Sequence, residues 1–193
     1  MKLELPTTKV TYKLPEILSS AEVQCLIKAT GNIKHKTLLM VIYGSGLRVS
    51  EAVNLRISDV DKSRMTLHIR NCKNRRDRYV ILSPVVYTAL QKYWKFCKFD
   101  DYIFPGQKSK QPLSTSSAGV IFRKAKKRAD IKKVGGIHAL RHAFATHMLE
   151  AGEDLFVIKR LLGHSSIHST VRYLSFVPDR GTKVKSPIEQ LNI

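Results

Sequence analysis

The chain has 193 residues, 43% of them apolar, so it is long and apolar enough to build a core without disulfides or a structural metal. Its 34 Lys and Arg against 15 Asp and Glu leave a net charge of +19, which favours a polyanionic partner, nucleic acid first and an anionic membrane second. No apolar run approaches the roughly 20 residues of a membrane span, and the N-terminus does not resemble a signal peptide, so we expect a cytoplasmic protein.

The first part of the chain predicts three helices. Ser19 and Glu22 have the spacing of a capping box, in which each side chain binds the backbone N–H of the other at a helix start. A second, strongly apolar helix runs through 38–42 and breaks at 44–46. A third helix begins around Arg48.

The pattern then changes to the two-residue period of β-strands. Residues 65–69 and 78–82 read as strands, and the polar, basic stretch 71–77 lies between them. This pattern predicts a β-hairpin with a charged tip. Ser83 and Pro84 then open a new helix, with Ser as the N-cap and Pro at the first helical position.

The second half is helical again. After a short extended segment at 102–105, a strongly basic helix carries five cations near its end: Arg123, Lys124, Lys126, Lys127 and Arg128. These cations can track DNA phosphates or form a solvated helix face, and both interpretations stay open. Three short helices follow at about 138–151, 154–162 and 166–173. The sequence therefore predicts a mainly α-helical fold with a small antiparallel β-sheet, of the α+β class.

Several residues are of types that can act together on a phosphodiester. His138 and Arg141 are three positions apart and share a helix face. Arg48 stands at a helix start, where backbone N–H groups and the helix dipole favour an anion. Guanidinium groups bind non-bridging phosphate oxygens in pairs and neutralise the charge that builds up in a transition state. Together with His164 and Tyr173, they can hold a phosphodiester and pass one of its bonds to a nucleophile.

Five ordered features of the chain resemble the motifs of the tyrosine recombinase, or phage integrase, family. They are GSGLRVSEAVNL, KNRRDRYVIL, HALRHAFATHML, LLGH and the tyrosine nine residues after that histidine. The similarity runs from about Leu14 to Phe176. It implies the tyrosine recombinase catalytic-domain fold and site-specific DNA recombination (integration, excision or resolution) through a 3′-phosphotyrosyl intermediate. It implies no metal or other cofactor.

The resemblance also implies roles for the residues around the phosphate. Arg48 and Arg141 would bind the scissile phosphate, and His138 and His164 would hydrogen-bond it. Glu51, one helical turn after Arg48, matches the acidic position of the family that supports the basic residues.

The resemblance assigns the bond-breaking steps to two further side chains. Tyr173 would attack the phosphate, and His138 is able to accept the tyrosine proton. Lys73, at the hairpin tip, matches the lysine that protonates the departing 5′ oxygen. The family usually has a glycine on each side of this lysine and this chain has none, so the neighbouring Arg75 and Arg76 stay open as alternatives for the proton donor or as DNA-binding residues.

The expected organisation is an N-terminal arm at 1–13, a catalytic domain at 14–177 and a tail at 178–193. The family implies double-stranded DNA as the partner and a homotetramer on that DNA, with the tail docked into a neighbouring protomer. Family members usually carry a helical domain before the catalytic one, for which we expect no room here. The chain is then a fragment, a truncated product or a minimal recombinase, cytoplasmic and nucleoid-associated when bound to DNA, with no membrane partner.

Two other functions stay open at this point. A DNA-binding relic could occupy recombination sites without chemistry, and a type IB topoisomerase would share the chemistry.

A metal site is the weaker interpretation of the histidines. His138 with His142, and His164 with His168, have a spacing that can hold zinc, but neither pair is part of an H-E-x-x-H motif. We therefore expect no metal, and interpret His142 and His168 as packing or surface residues. The three cysteines are widely spaced and predict reduced thiols.

Overall fold

The computed structural model describes residues 16–70, 77–96, 101–107 and 110–177, and within them it has eight α-helices and one three-stranded sheet. This confirms the predicted mainly α-helical fold with a small antiparallel sheet. The helices are α1 Ser20–Lys28, α2 Ile33–Ser45, α3 Val49–Val53, α4 Pro84–Phe96, α5 Thr115–Arg128, α6 His138–Glu150, α7 Leu155–Leu162 and α8 His168–Val171. The strands are β1 Val60–Asp61, β2 Thr66–Ile69 and β3 Arg78–Ile81, and short 3₁₀ helices cover Ile57–Asp59 and Arg172–Phe176.

Local capping groups set several helix ends. The backbone N–H of Ser19 donates to Glu22 Oε2 at 2.7 Å, and the N–H of Glu22 donates to Ser19 Oγ at 3.2 Å, as the capping-box spacing predicts. Helices α2 and α7 both end on a left-handed glycine, Gly46 at φ +63 and Gly163 at φ +64. Only glycine takes this conformation without steric cost, so both helices stop at positions that the sequence marks.

Helix α2 forms the centre of the domain. Leu38, Leu39, Val41 and Ile42 are all buried, and the helix packs against α4 on one side and α6 on another. A helix that is apolar around most of its circumference must be covered by neighbours. This packing brings the C-terminal end of α2 to helix α6. None of the helices in the described ranges is long and apolar enough to cross a membrane.

The sheet directs one charged side chain into the protein. The strands lie in the order β1-β2-β3, all antiparallel, with Leu67 opposite Val80 and Ile69 opposite Arg78. In a sheet, residues directly opposite each other on neighbouring strands share a face, and residues two apart on one strand also share a face. Arg78 therefore lies on the same face as the buried Leu67, Ile69 and Val80. The sequence predicts β2 and β3 but not β1, which has two residues.

Part of the prediction falls outside the described residues. The arm at 1–13, the tail at 178–193 and the hairpin tip with Lys73, Arg75 and Arg76 lie there. The domain boundaries therefore stay predictions.

Candidate active site

Glu51 lies among three arginines that come from three separate elements. Its Oε1 accepts from Arg48 Nη1 and from Arg78 Nη1, both at 2.9 Å. Its Oε2 accepts from the Arg48 backbone N–H and from Arg78 Nη2, both at 2.8 Å, and Arg141 Nη1 is 3.8 Å from the same oxygen. Burial raises the pKa of Glu51, but the hydrogen bonds and charges of Arg78 and Arg48 outweigh it and lower the pKa to about 2. The carboxylate is therefore charged at any working pH.

The Arg48–Glu51 pair follows from the start of helix α3. Arg48 is the N-cap, and Glu51, three residues on, reaches back to the free backbone N–H of Arg48. The side chain of Arg48 is 28% exposed, whereas that of Glu51 is 9% exposed. The helix start thus presents one accessible guanidinium group held by a buried carboxylate.

Arg141 is buried, at 5% exposure, and joins two helix ends. Its Nη1 donates to Gly46 O at 2.8 Å and its Nη2 donates to Leu162 O at 2.7 Å. These carbonyls belong to the C-terminal ends of α2 and α7, where the helix dipole favours a cation. Burial lowers the pKa of Arg141 to about 10, and the nearby Arg48 adds to the decrease. The guanidinium group is therefore charged at neutral pH.

Tyr173 lies in the 3₁₀ helix Arg172–Phe176 and is 6% exposed. Its hydroxyl group is hydrogen-bonded to His142 Nδ1 at 2.9 Å. Its ring is nearly parallel to that of His164, at an angle of 5° and with centroids 6.4 Å apart. Burial raises the pKa of Tyr173, and the positive charges of Arg141, Arg172 and Arg48 act against that increase. The phenol therefore stays protonated at neutral pH and needs a proton acceptor before it can attack.

The histidines of the site differ in exposure and partners. His164 Nδ1 is hydrogen-bonded to Thr170 Oγ1 at 2.8 Å, and Thr170 is fully buried. Burial lowers the pKa of His164 to about 4, with further contributions from Arg141 and Arg48. His138, the first residue of α6, is exposed, and partial desolvation together with the same two arginines lowers its pKa. These imidazoles are therefore neutral at pH 7.

The structure brings most of the predicted catalytic residues together. The side chains of Arg48, Arg141 and Glu51 form one cluster, and the charges of the two arginines shift the pKa values of His138, His164 and Tyr173. Lys73 lies outside the described residues. In the part of the chain that the structure describes, no group of three or more His, Cys, Asp or Glu side chains could hold a metal ion.

Two residues that contact the predicted catalytic side chains are absent from the sequence prediction. Arg78 binds Glu51 from strand β3, and the signal for it was a charged residue in phase with the buried positions of a strand. His142 contacts the Tyr173 hydroxyl group, although the sequence analysis interprets it as a packing or surface residue. Its signal was the position one turn after His138, on the same face of α6.

The basic end of helix α5 lies apart from this cluster. Arg123, Lys124, Lys127 and Arg128 are exposed, whereas Lys126 is partly buried and donates to the backbone carbonyl of Lys133. Burial lowers the pKa of His35, in the first turn of α2, and the charges of Lys34, Lys124 and Arg128 add to the decrease. The arginine cluster lies at the other end of α2, about 20 Å away for a helix of this length. The basic end of α5 is therefore a separate surface.

Comparisons with known proteins agree with this geometry. The sequence model of the phage integrase family matches residues 16–178. A putative integrase/recombinase of Sinorhizobium fredii, y4qK, is 39% identical over 187 residues, which cover 97% of this chain and 61% of the relative. The tyrosine recombinase XerA of Pyrococcus horikoshii is 34% identical over 173 residues, or 88% of this chain and 60% of the relative. This chain thus spans about three fifths of the length of both relatives.

A solved structure shows the same fold. The crystal structure of XerA recombinase superposes with a TM-score of 0.78 at 30% identity, over 97% of this chain and 68% of the other. The shared fold, the family match over most of the chain and the two curated relatives lead to one conclusion. The chain belongs to the phage integrase family, with the fold of a tyrosine recombinase catalytic domain.

Proposed function

We propose that the protein is a tyrosine site-specific recombinase, which cuts and rejoins double-stranded DNA through a covalent bond to Tyr173. One observation carries the proposal: the Tyr173 hydroxyl group, its hydrogen-bonded imidazole and the arginine cluster around Glu51 belong to one site. A nucleophile, a proton acceptor and fixed cations are the parts that transfer of a phosphodiester to a phenol needs.

The charge of the cluster suits this reaction. Three guanidinium groups surround the single carboxylate of Glu51, so these four side chains carry a net charge of +2. A DNA phosphodiester carries one negative charge, and attack by a phenolate brings a second. Fixed cations in a partly buried site stabilise such a dianionic transition state more than water does, because they need no reorientation.

The covalent step conserves the number of phosphodiester bonds. Tyr173 Oη attacks phosphorus and forms a P–O bond, the bond from phosphorus to the 5′ oxygen breaks, and the phenol proton passes to a histidine. Lys73, or Arg75 or Arg76 beside it, supplies a proton to the departing 5′ oxygen. A 5′ hydroxyl group reverses the step, so rejoining needs neither ATP nor a cofactor.

The geometry favours His142 as the acceptor of the phenol proton. His142 Nδ1 is the hydrogen-bond partner of the Tyr173 hydroxyl group, and burial lowers the pKa of His142. The imidazole is therefore neutral at pH 7 and able to accept. His138, to which the family resemblance gives this role, is exposed at the start of α6. Its pKa is lowered by partial burial and by the charges of Arg141 and Arg48, and we assign it a hydrogen bond to the phosphate instead.

The same proposal covers the partners. The exposed cations of α5 bind the phosphates of flanking DNA, which positions the domain without reading sequence. Residues 14–177 form the catalytic domain, and the tail at 178–193 docks into a neighbouring protomer of a homotetramer. The expected location is the cytoplasm, on nucleoid DNA. The +19 charge of the chain supports the DNA partner.

A covalent-trapping experiment tests the proposal. The full chain is incubated with nicked suicide duplexes carrying candidate sites, in which the fragment bearing the 5′ hydroxyl group diffuses away after cleavage. We expect a denaturation-resistant protein–DNA adduct for the wild type and for Tyr79→Phe, a matched control at an exposed tyrosine. Tyr173→Phe should form none, and Arg141→Ala should form none while it keeps much of its non-specific DNA binding. An adduct that survives Tyr173→Phe would overturn the assignment.

A further inference from the structure

The guanidinium group of Arg78 donates hydrogen bonds to both carboxylate oxygens of Glu51 and to a backbone carbonyl of α7. Its Nη1 and Nη2 donate to the two carboxylate oxygens at 2.9 and 2.8 Å, a paired geometry that only a guanidinium group offers. Its Nε donates to Leu161 O at 3.0 Å, at the C-terminal end of α7. The side chain is 9% exposed. Arg78 therefore joins the sheet, helix α3 and helix α7 inside the protein.

The turn after α7 is shaped around this side chain. A Cβ atom at Gly163 would lie 3.0 Å from Cδ, Nε and Cζ of Arg78. Gly163 is followed by His164, and the carbonyl of the preceding Leu162 accepts from Arg141. Arg78 thus packs against the short segment that carries one proposed phosphate-binding group, His164, and holds a second, Arg141.

The distances around Glu51 differ between the arginines. Arg78 takes both carboxylate oxygens, whereas Arg141 Nη1 is 3.8 Å from Oε2 and uses its short hydrogen bonds on Gly46 and Leu162. A buried carboxylate that loses one of two close guanidinium partners would move toward the nearest remaining cation, because a poorly compensated charge in this environment is costly. Arg48 already donates to Glu51 Oε1 at 2.9 Å, so the remaining cation is Arg141.

We infer that Arg78 is a positioning residue: together with Arg48 it neutralises Glu51, and it keeps the carboxylate from drawing Arg141 away from the carbonyls that hold it. This inference rests on the proposed function for its effect on cleavage. Its structural part, the position of Arg141, does not depend on activity. Arg78 itself is 9% exposed and need not touch DNA.

The inference predicts that a second substitution, Glu51→Gln, partly restores the cleavage lost in Arg78→Met. Arg78→Met keeps much of the length of the side chain beside Gly163, but leaves Glu51 to draw Arg141 closer in addition to Arg48. Adding Glu51→Gln removes that carboxylate and returns the net charge of these four positions to the +2 of the wild type. The double variant should therefore cleave faster than Arg78→Met alone, whereas two losses of structural contacts would add up.

The first measurement is single-turnover cleavage at saturating nicked DNA. We expect Arg78→Met to cleave about 100-fold more slowly than the wild type, since a small displacement of positioning groups costs that much, with a DNA Kd within about threefold. Arg78→Lys restores charge but not the paired geometry and should cleave at least about tenfold more slowly. The double variant should regain about tenfold over Arg78→Met. Arg70→Met is the matched control, because Arg70 Nε binds another buried carboxylate, Asp59, at 2.6 Å.

The second measurement needs no cleavage. Side-chain NMR of the full chain follows the guanidinium protons of Arg141 and Arg48, assigned with Arg141→Lys and Arg48→Lys. Because exchange with solvent follows local opening, we expect slow exchange of the Arg141 guanidinium protons in the wild type and in Arg70→Met. In Arg78→Met the exchange should be at least about tenfold faster. In the double variant it should return toward the wild-type rate.

The outcomes separate the two ideas. Absence of any wild-type adduct would refute the proposed function, and the NMR comparison would still decide whether Arg78 positions the cluster. The inference is overturned if Arg78→Met leaves the Arg141 resonances as Arg70→Met does. It is equally overturned if Arg78→Met cleaves within threefold of the wild type, or if the double variant is no faster than Arg78→Met.

Discussion

The hydroxyl oxygen of Tyr173 lies 2.9 Å from Nδ1 of His142, a residue on helix α6 one turn after His138. Burial, His138, Arg141 and Arg172 all lower the pKa of His142 below its ordinary 6.5. A neutral imidazole in contact with a buried phenol is arranged to accept its proton. The hydrogen bond therefore gives His142 a place in the proposed cleavage step.

His142→Asn should slow single-turnover cleavage by about 100-fold, since a positioned general base contributes at least that much. Because burial lowers the pKa of His142, the wild-type rate should be level in the neutral range and fall toward pH 5, as the imidazole becomes protonated. The variant should lack this decrease. Cleavage of saturating nicked DNA between pH 5 and 8 gives the comparison.

His138→Asn is the control for this assignment. If His138 accepts the proton, as the family resemblance alone implies, this variant and not His142→Asn will lose the acid limb of the profile. If His138 hydrogen-bonds the phosphate, the variant will be slower at every pH and keep the limb.

Local sequence patterns predicted most helices and strands of the fold. Contacts between residues far apart in the chain could not be predicted from these patterns. The capping box at Ser19 and the glycine that ends α2 depend on neighbouring residues, so both were readable. Strand β1 has two residues and exists only through its pairing with Thr66 and Leu67, which no local pattern reveals. The contact of Arg78 with Glu51 joins residues 27 positions apart, so the site was incomplete for the same reason.

Glu51→Gln should destabilise the protein in a pH-dependent way. The folded-state pKa of about 2 lies below the ordinary value of 4.5, so the carboxylate stabilises the fold above pH 4.5 and the effect is lost as the pH falls toward 2. Loss of one member of a buried ion pair costs about 3 kcal/mol. Urea unfolding should show that difference at pH 7 and a smaller one at pH 3.5. A difference that does not change with pH would mean that the charge of Glu51 is not its source.

Gly46→Ala should lower the free energy of unfolding by about 3 kcal/mol, combining the cost of a left-handed alanine with that of overpacking. A Cβ atom at this position would lie 2.4 Å from Cδ1 of the Phe144 ring, and φ is +63. The same change displaces the carbonyl that accepts from Arg141, so cleavage should fall with it. Gly119→Ala is the control of opposite sign: the site is open and lies inside α5, so denaturant unfolding should show a gain of about 0.5–1 kcal/mol.

Thr170→Val tests how the His164 ring is held. The Thr170 hydroxyl group is buried and lies 2.8 Å from His164 Nδ1, so it fixes which nitrogen of the neutral ring carries the proton. A hydroxyl group that donates to Nδ1 leaves the proton on Nε2, where it can be donated to a phosphate oxygen. Valine keeps the shape of threonine and removes the bond, so imidazole ¹⁵N shifts should change from one tautomer to a mixture.

Cleavage by Thr170→Val should fall about tenfold at pH 7, the size expected for one lost hydrogen bond of about 1.4 kcal/mol, and Thr170→Ser should restore it. The pKa of His164 is about 4, so the ring is neutral throughout the pH range of the assay and the loss should not vary with pH above about 6. A serine variant as slow as the valine variant would show that the methyl group of Thr170, and not its hydroxyl group, supports His164.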